Sequence, residues 1–253
     1  MLSSERIGGT GMDDSMTARV SREADESEPA GSVPAASAGS RIDIVSDAIC
    51  PWCYIGKRQL ERALAALAAD RLHFAVHWNP FQLNPDMPRE GVDRAVYRAA
   101  KFGDAARARA LDERIVEAAA NVGLAFRPDL MTRTPNTLDA HRLVYFAGEQ
   151  GVQDAVAEAL FAAYFTRGRD IGQQATLVDC AIEAGLDGRE VAAFLASDKA
   201  GPEILAADRA VRKAGVEGVP AFFLDGYGLF SGAVPAERMA EALRRGRQVL
   251  ASA

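Results

Sequence analysis

The tightest constraint on this chain is four residues long. Cys50-Pro51-Trp52-Cys53 follows directly on a short, partly alternating run, Arg41-Ile42-Asp43-Ile44-Val45-Ser46-Asp47, whose β-branched residues suit a strand. From Pro51 to about Ala69 the pattern turns helical. Leu60, Leu64 and Leu67 recur at i, i+4 and i+7, and a proline is tolerated in a first helical turn because its missing N–H has no partner to lose there. Leu72 to Trp78 then alternates again, with Leu72, Phe74, Val76 and Trp78 on one face. Strand, helix and strand in that order predict a parallel pair joined by a right-handed crossover, with both cysteines at the helix start.

That position carries chemistry. The first sulfur faces the positive end of the helix dipole and backbone N–H groups without intrahelical partners, a setting that favours thiolate. Cys50 is therefore the expected attacking sulfur. Cys53, about one turn further in and more shielded, is placed to resolve a mixed disulfide by intramolecular attack. Pro51 and Trp52 tune the relative stability of thiolate and disulfide. Two alternatives stand beside this one. Two structural cysteines can meet a helix start by coincidence, and a Cys-x-x-Cys pair can bind zinc, which normally takes four ligands. Zinc partners are hard to find, because Cys180 stands alone and His73 and His77 would sit about 13 Å apart along one strand. No metal site is expected.

From about Val92 to Ala214 the chain reads as helices. Four of them stop at a glycine followed by an apolar residue, Gly123-Leu124, Gly151-Val152, Gly185-Leu186 and Gly215-Val216, the form of a left-handed terminus whose next residue packs back on the last turn. Asn136 with Asp139 marks a helix start. After Gly218-Val219-Pro220 the strand pattern returns as Ala221-Phe222-Phe223-Leu224, then Asp225-Gly226 and a second strand, Leu229-Phe230-Ser231, a hairpin signal. A last helix spans Pro235 to about Leu250, with Met239, Leu243 and Leu250 inward. Gly218-Val219-Pro220-Ala221 is an ordinary strand entry by itself. Combined with the cysteine pair, it predicts a cis Pro220 beside the reactive sulfur, with the backbone of Val219 available to a substrate.

Residues 1–40 are rich in Ser, Gly, Ala, Pro, Asp and Glu and cannot bury enough apolar surface to order themselves, so they are expected to form a disordered tail. The tail holds seven acidic and three basic residues, so it carries most of the formal net charge of −6. That balance gives no electrostatic footprint for nucleic acid, and no apolar run is long enough to cross a bilayer. With 253 residues a core needs no disulfide staples, and three cysteines argue against an extracellular disulfide framework. The N-terminus lacks the order of a secretory signal, also if Met12 or Met16 is the initiator. A cytoplasmic protein is the expectation.

Ser46-Asp47-Ala48-Ile49-Cys50-Pro51-Trp52-Cys53-Tyr54-Ile55-Gly56, Asn79-Pro80-Phe81-Gln82-Leu83-Asn84-Pro85 and Gly218-Val219-Pro220-Ala221-Phe222 together resemble the DsbA-like branch of the thioredoxin superfamily, in family order. The likeness is nearer to the FrnE-like proteins and their 2-hydroxychromene-2-carboxylate isomerase relatives, and spans about residues 41–250. It implies an α/β thioredoxin-like fold, a central mixed sheet with flanking helices, interrupted by a large all-helical insertion at 92–214. It further implies Cys50 as nucleophile, Cys53 as resolving thiol and Pro220 as the cis proline. The expected activity is thiol-disulfide exchange on a protein or small-molecule disulfide, with no cofactor, glutathione being admitted as a thiol co-substrate. The competing enzyme is a glutathione-dependent isomerase or transferase of the isomerase or kappa type, although those relatives typically carry serine where Cys50 stands. A thiol-dependent binding or sensor protein is the non-enzymatic alternative. Oligomeric state is not legible.

Other residues invite weaker readings. Cys180, on an apolar-rich helix, reads as a core residue rather than a regulatory thiol. His141 reads as a structural histidine that could face the site. Phe81, Gln82 and Asn84 fit a plain turn as well as a cleft wall, and Phe161, Tyr164 and Phe165 fit a core better than a ligand box.

Overall fold

In the computed structural model, which describes residues 40–252, the strand before the cysteines is the one its neighbours assemble on. Strand β1 (Ser40–Ser46) leads into helix α1 (Pro51–Ala69), and strand β2 (Phe74–Pro80) returns parallel to β1, Ile42 pairing with Val76 and Ile44 with Trp78. The expected strand started at Leu72 and stopped at Trp78, whereas Asn79 and Pro80 extend it to meet Val45 and Ser46. Pro80 is accommodated because β2 is an edge strand, where a missing donor leaves no ladder bond unmade.

Between β2 and the return of the sheet lies the helical insertion. A two-residue strand β3 (Val92–Asp93) precedes α2 (Arg94–Phe102) and α3 (Ala105–Ala120), and β3 pairs with an equally short β4 (Arg133–Thr134). Then follow α4 (Leu138–Glu149), α5 (Gln153–Phe161), a π-helical turn over Ala162–Thr166, α6 (Gln174–Glu183), α7 (Gly188–Ala196) and α8 (Gly201–Lys213). The four Gly-apolar stops are real termini. Each glycine has a positive φ, between 73° and 91°, and each following apolar N–H reaches back to a carbonyl five residues earlier, as from Leu124 to Ala119 and from Val216 to Val211. At α4 the expected start is one residue out: Thr137 holds the N-cap position, and Asn136 Oδ1 accepts from Leu138 N at 2.9 Å in a turn just before it.

The sheet closes with β5 (Ala221–Leu224), antiparallel to β1, and β6 (Tyr227–Ser231), in the order β2-β1-β5-β6. The intervening turn has positive φ at both Asp225 and Gly226, as a tight two-residue hairpin requires. Helix α9 (Ala236–Ala251) then packs on α1 with Met239 and Leu243 buried. Ile42, Ile44 and Phe222 on the sheet share one core with Leu67 of α1, Leu143 of α4, Leu160 of α5 and Leu177 of α6. The opposite face of the sheet carries a smaller cluster of Val45, Phe81 and Ala221, covered in part by Val211 of α8.

Polar contacts fix the insertion to this sheet. Gln153 of α5 presents its side-chain amide to the open edge of β2, accepting from Trp78 N at 2.8 Å and donating to Trp78 O at 3.2 Å, as another strand would. Beneath α1, buried Lys57 meets the carboxylates of Glu61, Asp154 at 3.0 Å and Glu158 at 3.3 Å. Tyr54 donates to Glu158 at 2.7 Å, and Arg58 pairs with the same carboxylate. Among the described residues no helix is long and apolar enough to cross a membrane. The expected tail lies, apart from Ser40, outside the described residues.

Candidate active site

Cys50 is the N-cap of α1, its backbone extended (φ −89°, ψ 113°) and its N–H bonded to Asp47 O at 3.0 Å, so the strand-to-helix turn itself aims the side chain. Pro51 occupies the first helical turn, as expected. The Cys50 thiol donates to the carbonyl of Val219 at 3.5 Å, and the Val219–Pro220 peptide bond is cis. Elements 169 positions apart in sequence thus meet at one sulfur. Gly56 permits the approach. A Cβ there would stand 3.1 Å from Pro220 Cγ and 3.4 Å from the Phe222 ring, closer than a side chain normally comes.

Cys53 lies behind Cys50, 1% exposed, with the Cys50 sulfur, the Ser46 hydroxyl and the Asp47 backbone as hydrogen-bonding neighbours. Burial first, then hydrogen bonding and charge from Cys50, push the Cys53 thiol well above its ordinary value, and the contributions of Ser46 and Asp47 only offset this in part. Both thiols are free rather than bonded to each other. Cys50 is itself 4% exposed, less open than an attacking sulfur was expected to be. It is reached through a cavity of about 380 Å³ that runs from the motif to the insertion.

Pro51, Trp52 and Val219 line that cavity with Cys50, while Pro220 is buried against Gly56 and holds the loop from behind. Trp52 is 42% exposed at the rim. Tyr164 and Phe165, expected in the core, are buried and yet form the cavity's inner wall, because the π-helical turn places them successively toward it. Phe126, Phe165, Tyr54 and Phe161 stack on one another, with ring centroids 4.8 Å apart for Phe126–Phe165 and 5.1 Å for Tyr54–Phe161.

Sequence reasoning missed the insertion's contribution to the wall. Arg94, Tyr97, Arg98 and Lys101 of α2 all line the cavity, facing Asp112 of α3. The i, i+4, i+7 spacing of the three cations was readable, and so was the absence of any acidic residue from Arg94 to Phe102.

The remaining candidates fall elsewhere. Cys180 is fully buried, donating weakly to Ala159 O at 3.6 Å, and burial raises its thiol to about 11. His141 is buried with Nε2 3.4 Å from Asp47 Oδ1 and no hydrogen-bond partner, beside a second cavity of about 370 Å³ that Ser46, Trp78 and Phe161 also line. Asp47 is spent on the backbone of the motif and of the loop after β2, accepting from Leu83 N at 2.7 Å. In that loop Phe81 lies under the Arg212 guanidinium, 3.9 Å from ring centroid to Cζ, Gln82 N donates to Asp208 at 2.8 Å, and Asn84 accepts from Tyr97 at 2.7 Å. It is a braced turn, with Leu83 reaching the cavity. Nδ1 of His77 lies 3.3 Å from Asp43, and His73 is exposed and outside β2. Among the described residues no three His, Cys, Asp or Glu side chains are grouped to hold a metal ion.

The DSBA-like thioredoxin domain matches residues 41–244. A probable DsbA oxidoreductase from Streptomyces coelicolor is 36% identical, covering 81% of this chain and 89% of its own, with a TM-score of 0.73. YwbO of Bacillus subtilis, an uncharacterized protein, is 27% identical over 147 residues, which is 58% of this chain and 67% of YwbO. In fold alone the chain is similar to a 2-hydroxychromene-2-carboxylate isomerase (16% identity, 84% of this chain and 98% of that one, TM-score 0.61). The cytosolic disulfide reductase DsbM of Pseudomonas aeruginosa is alike in the same sense (16% identity, 84% and 100%, TM-score 0.56).

Proposed function

This chain belongs to the DSBA-like thioredoxin domain family, and on that premise we propose that it is a dithiol-disulfide oxidoreductase working through Cys50 and Cys53. The observation that carries the proposal is the Cys50 sulfur at the start of α1, 3.5 Å from the Val219 carbonyl at the foot of the cavity, with the Cys53 thiol directly behind it. One sulfur is reachable by a substrate. The other is reachable only by the first.

In the reducing direction the Cys50 thiolate attacks a substrate disulfide. Its S–S bond breaks, a Cys50–substrate disulfide forms, and one substrate thiolate leaves and takes a proton. Cys53 then loses its proton and attacks the Cys50 sulfur, which closes the Cys50–Cys53 disulfide and releases the second substrate thiol. Two electrons pass from the protein dithiol to the substrate, and the reverse sequence oxidises a substrate dithiol. The chemistry needs neither a metal nor an organic cofactor, and glutathione can serve as the thiol that regenerates the dithiol. The cytosolic setting of the DsbM relative is consistent with a cytoplasmic reductase or isomerase role.

Equilibration of the purified protein in graded glutathione buffers, followed by thiol alkylation and intact mass, tests this. The expected result is a reversible intramolecular disulfide lost in Cys50→Ser, whose midpoint reports whether the protein donates or accepts electrons. A stable glutathione adduct on Cys50 without ring closure would instead select the glutathione-dependent isomerase or transferase.

A further inference from the structure

The cavity at Cys50 is charged against the sign of the chain. The whole sequence carries a formal −6, yet the charged side chains lining this cavity are Arg94, Arg98 and Lys101 with Asp112 as the sole carboxylate. Asp112 is shared. Its Oδ1 is 3.0 Å from Arg94 Nη2 and 2.9 Å from Arg98 Nη2, so one negative charge serves two guanidiniums. Lys101 has no carboxylate within ion-pair distance among the described residues, and its ammonium is spent on the Tyr97 hydroxyl at 2.6 Å. A formal excess of two positive charges faces the space in front of the sulfur.

The guanidiniums are also incompletely used. Arg98 Nη2 donates to Ala108 O at 2.7 Å, whereas its Nε is buried without a hydrogen-bond partner among the described residues. Burial and the neighbouring Arg94 charge both weaken the protonated form of Arg98, and Asp112 only partly compensates. A second anion would offset the positive charge that the shared Asp112 leaves over, since a carboxylate accepts from two guanidinium N–H groups at once. The aromatic part of the lining, Phe126, Tyr164 and Phe165, suits the carbon skeleton of such a ligand. About 380 Å³ is the scale of a small molecule, too little for a folded protein surface to enter.

We propose that the inward face of α2 is a subsite for a carboxylate, so that Cys50 exchanges preferentially with small disulfides that carry negative charge. The inference rests on the dithiol-exchange reading and names its substrate class. Arg94 and Arg98 receive the carboxylate, Lys101 adds field at the mouth, and the disulfide lies toward Cys50 and the Val219 carbonyl. Fields of this kind raise the local concentration of an oppositely charged reactant, and rate effects of roughly 10 to 1,000-fold fall away with salt.

The test compares three small disulfides as oxidants of the reduced protein: anionic dithiodipropionate, neutral hydroxyethyl disulfide and cationic cystamine. Each rate constant is divided by that of dithiothreitol with the same disulfide, which removes intrinsic reactivity. The expected order is anionic over neutral over cationic, with roughly tenfold between the first two at low salt, shrinking at about 0.5 M salt. Lys101→Gln and Arg94→Gln should each lower the anionic rate more than the neutral one, and Lys101→Gln, which breaks no ion pair, keeps the test open if loss of Arg94 harms folding. Normalised rates equal within about twofold, or a preference for cystamine, would overturn the subsite while leaving dithiol exchange in place. No exchange with any of the three would remove both.

Discussion

Lys57 Nζ stands 3.0 Å from Asp154 Oδ2 and so ties the helix that starts at the cysteine motif to the insertion that walls its cavity. The amine is 3% exposed, and burial alone would lower its basicity. Asp154 and Glu61, with Glu158 beside them, more than reverse that effect and raise its basicity. Lys57→Met leaves three carboxylates clustered without their shared cation. Because Glu61 and Asp154 are themselves about half exposed, the loss is put at about 3 kcal/mol rather than a fully buried pair's upper range. A fall in melting temperature of roughly 6–12 °C should follow, read by calorimetry. An unchanged melting temperature would remove this contact from the account of what holds the cavity together.

Cys53 sets the pH dependence of the second chemical step. In the free dithiol, burial and then the Cys50 thiol hold the Cys53 thiol above the ordinary range; in a Cys50 mixed disulfide the Cys50 contribution is gone but burial still disfavours the thiolate, so release of substrate should be slow near neutrality. The rate should climb about tenfold per pH unit from pH 7 to at least 8, followed by the fluorescence or mass of the released thiol. Cys53→Ala should trap the mixed disulfide at every pH. A plateau below pH 8 would mean that Cys53 ionises easily.

Cys180 predicts both inertness and a stability slope. The thiol is fully buried and its ionisation is pushed from 9.0 to about 11, so iodoacetamide at pH 8 should label Cys180 only after denaturation, as judged by peptide mapping. A raised thiol value means the folded state prefers the protonated form. The associated stability is therefore complete below about pH 9 and is lost as pH rises toward 11, a shift worth about 3 kcal/mol. Wild type should lose stability over that window more steeply than Cys180→Ala, and parallel curves would contradict it.

Gly56→Ala separates activity from stability. Within a helix the change should add up to about 1 kcal/mol, but the new methyl meets Pro220 Cγ at 3.1 Å and must displace the loop that presents Val219. Exchange rates should fall several-fold while the denaturation midpoint moves little. Wild-type rates in this variant would show that the loop yields without consequence.

What the sequence could disclose follows the reach of each interaction. A helix stop such as Ala119 to Leu124 is settled within six residues, which is why Gly123 and its three counterparts were readable. The Cys-x-x-Cys turn and the Asp225-Gly226 hairpin are equally local. Gln153 imitating a strand at Trp78, Asp208 and Arg212 bracing Gln82, and His141 beside Asp47 are meetings of distant segments, and none of those residues signals its partner. The extra length of β2 was hidden for a similar reason: Asn79 and Pro80 are poor strand formers made extended by Val45 and Ser46 alongside. The cations of α2 were a different case. Their spacing is visible, but only the fold shows that the stripe faces a sulfur rather than water.

The shared core described for the sheet and the insertion has a mechanical meaning. Apolar contact runs unbroken from Ile42 and Ile44 through Tyr54 and Phe161 to Leu177, Cys180 and Val191. A cut at the point where the chain leaves the sheet would strip buried surface from both fragments, so neither half is expected to persist alone as a stable module. The walls of the cavity and the sulfurs at its foot then melt together, and the shape a substrate meets is only as durable as the whole molecule.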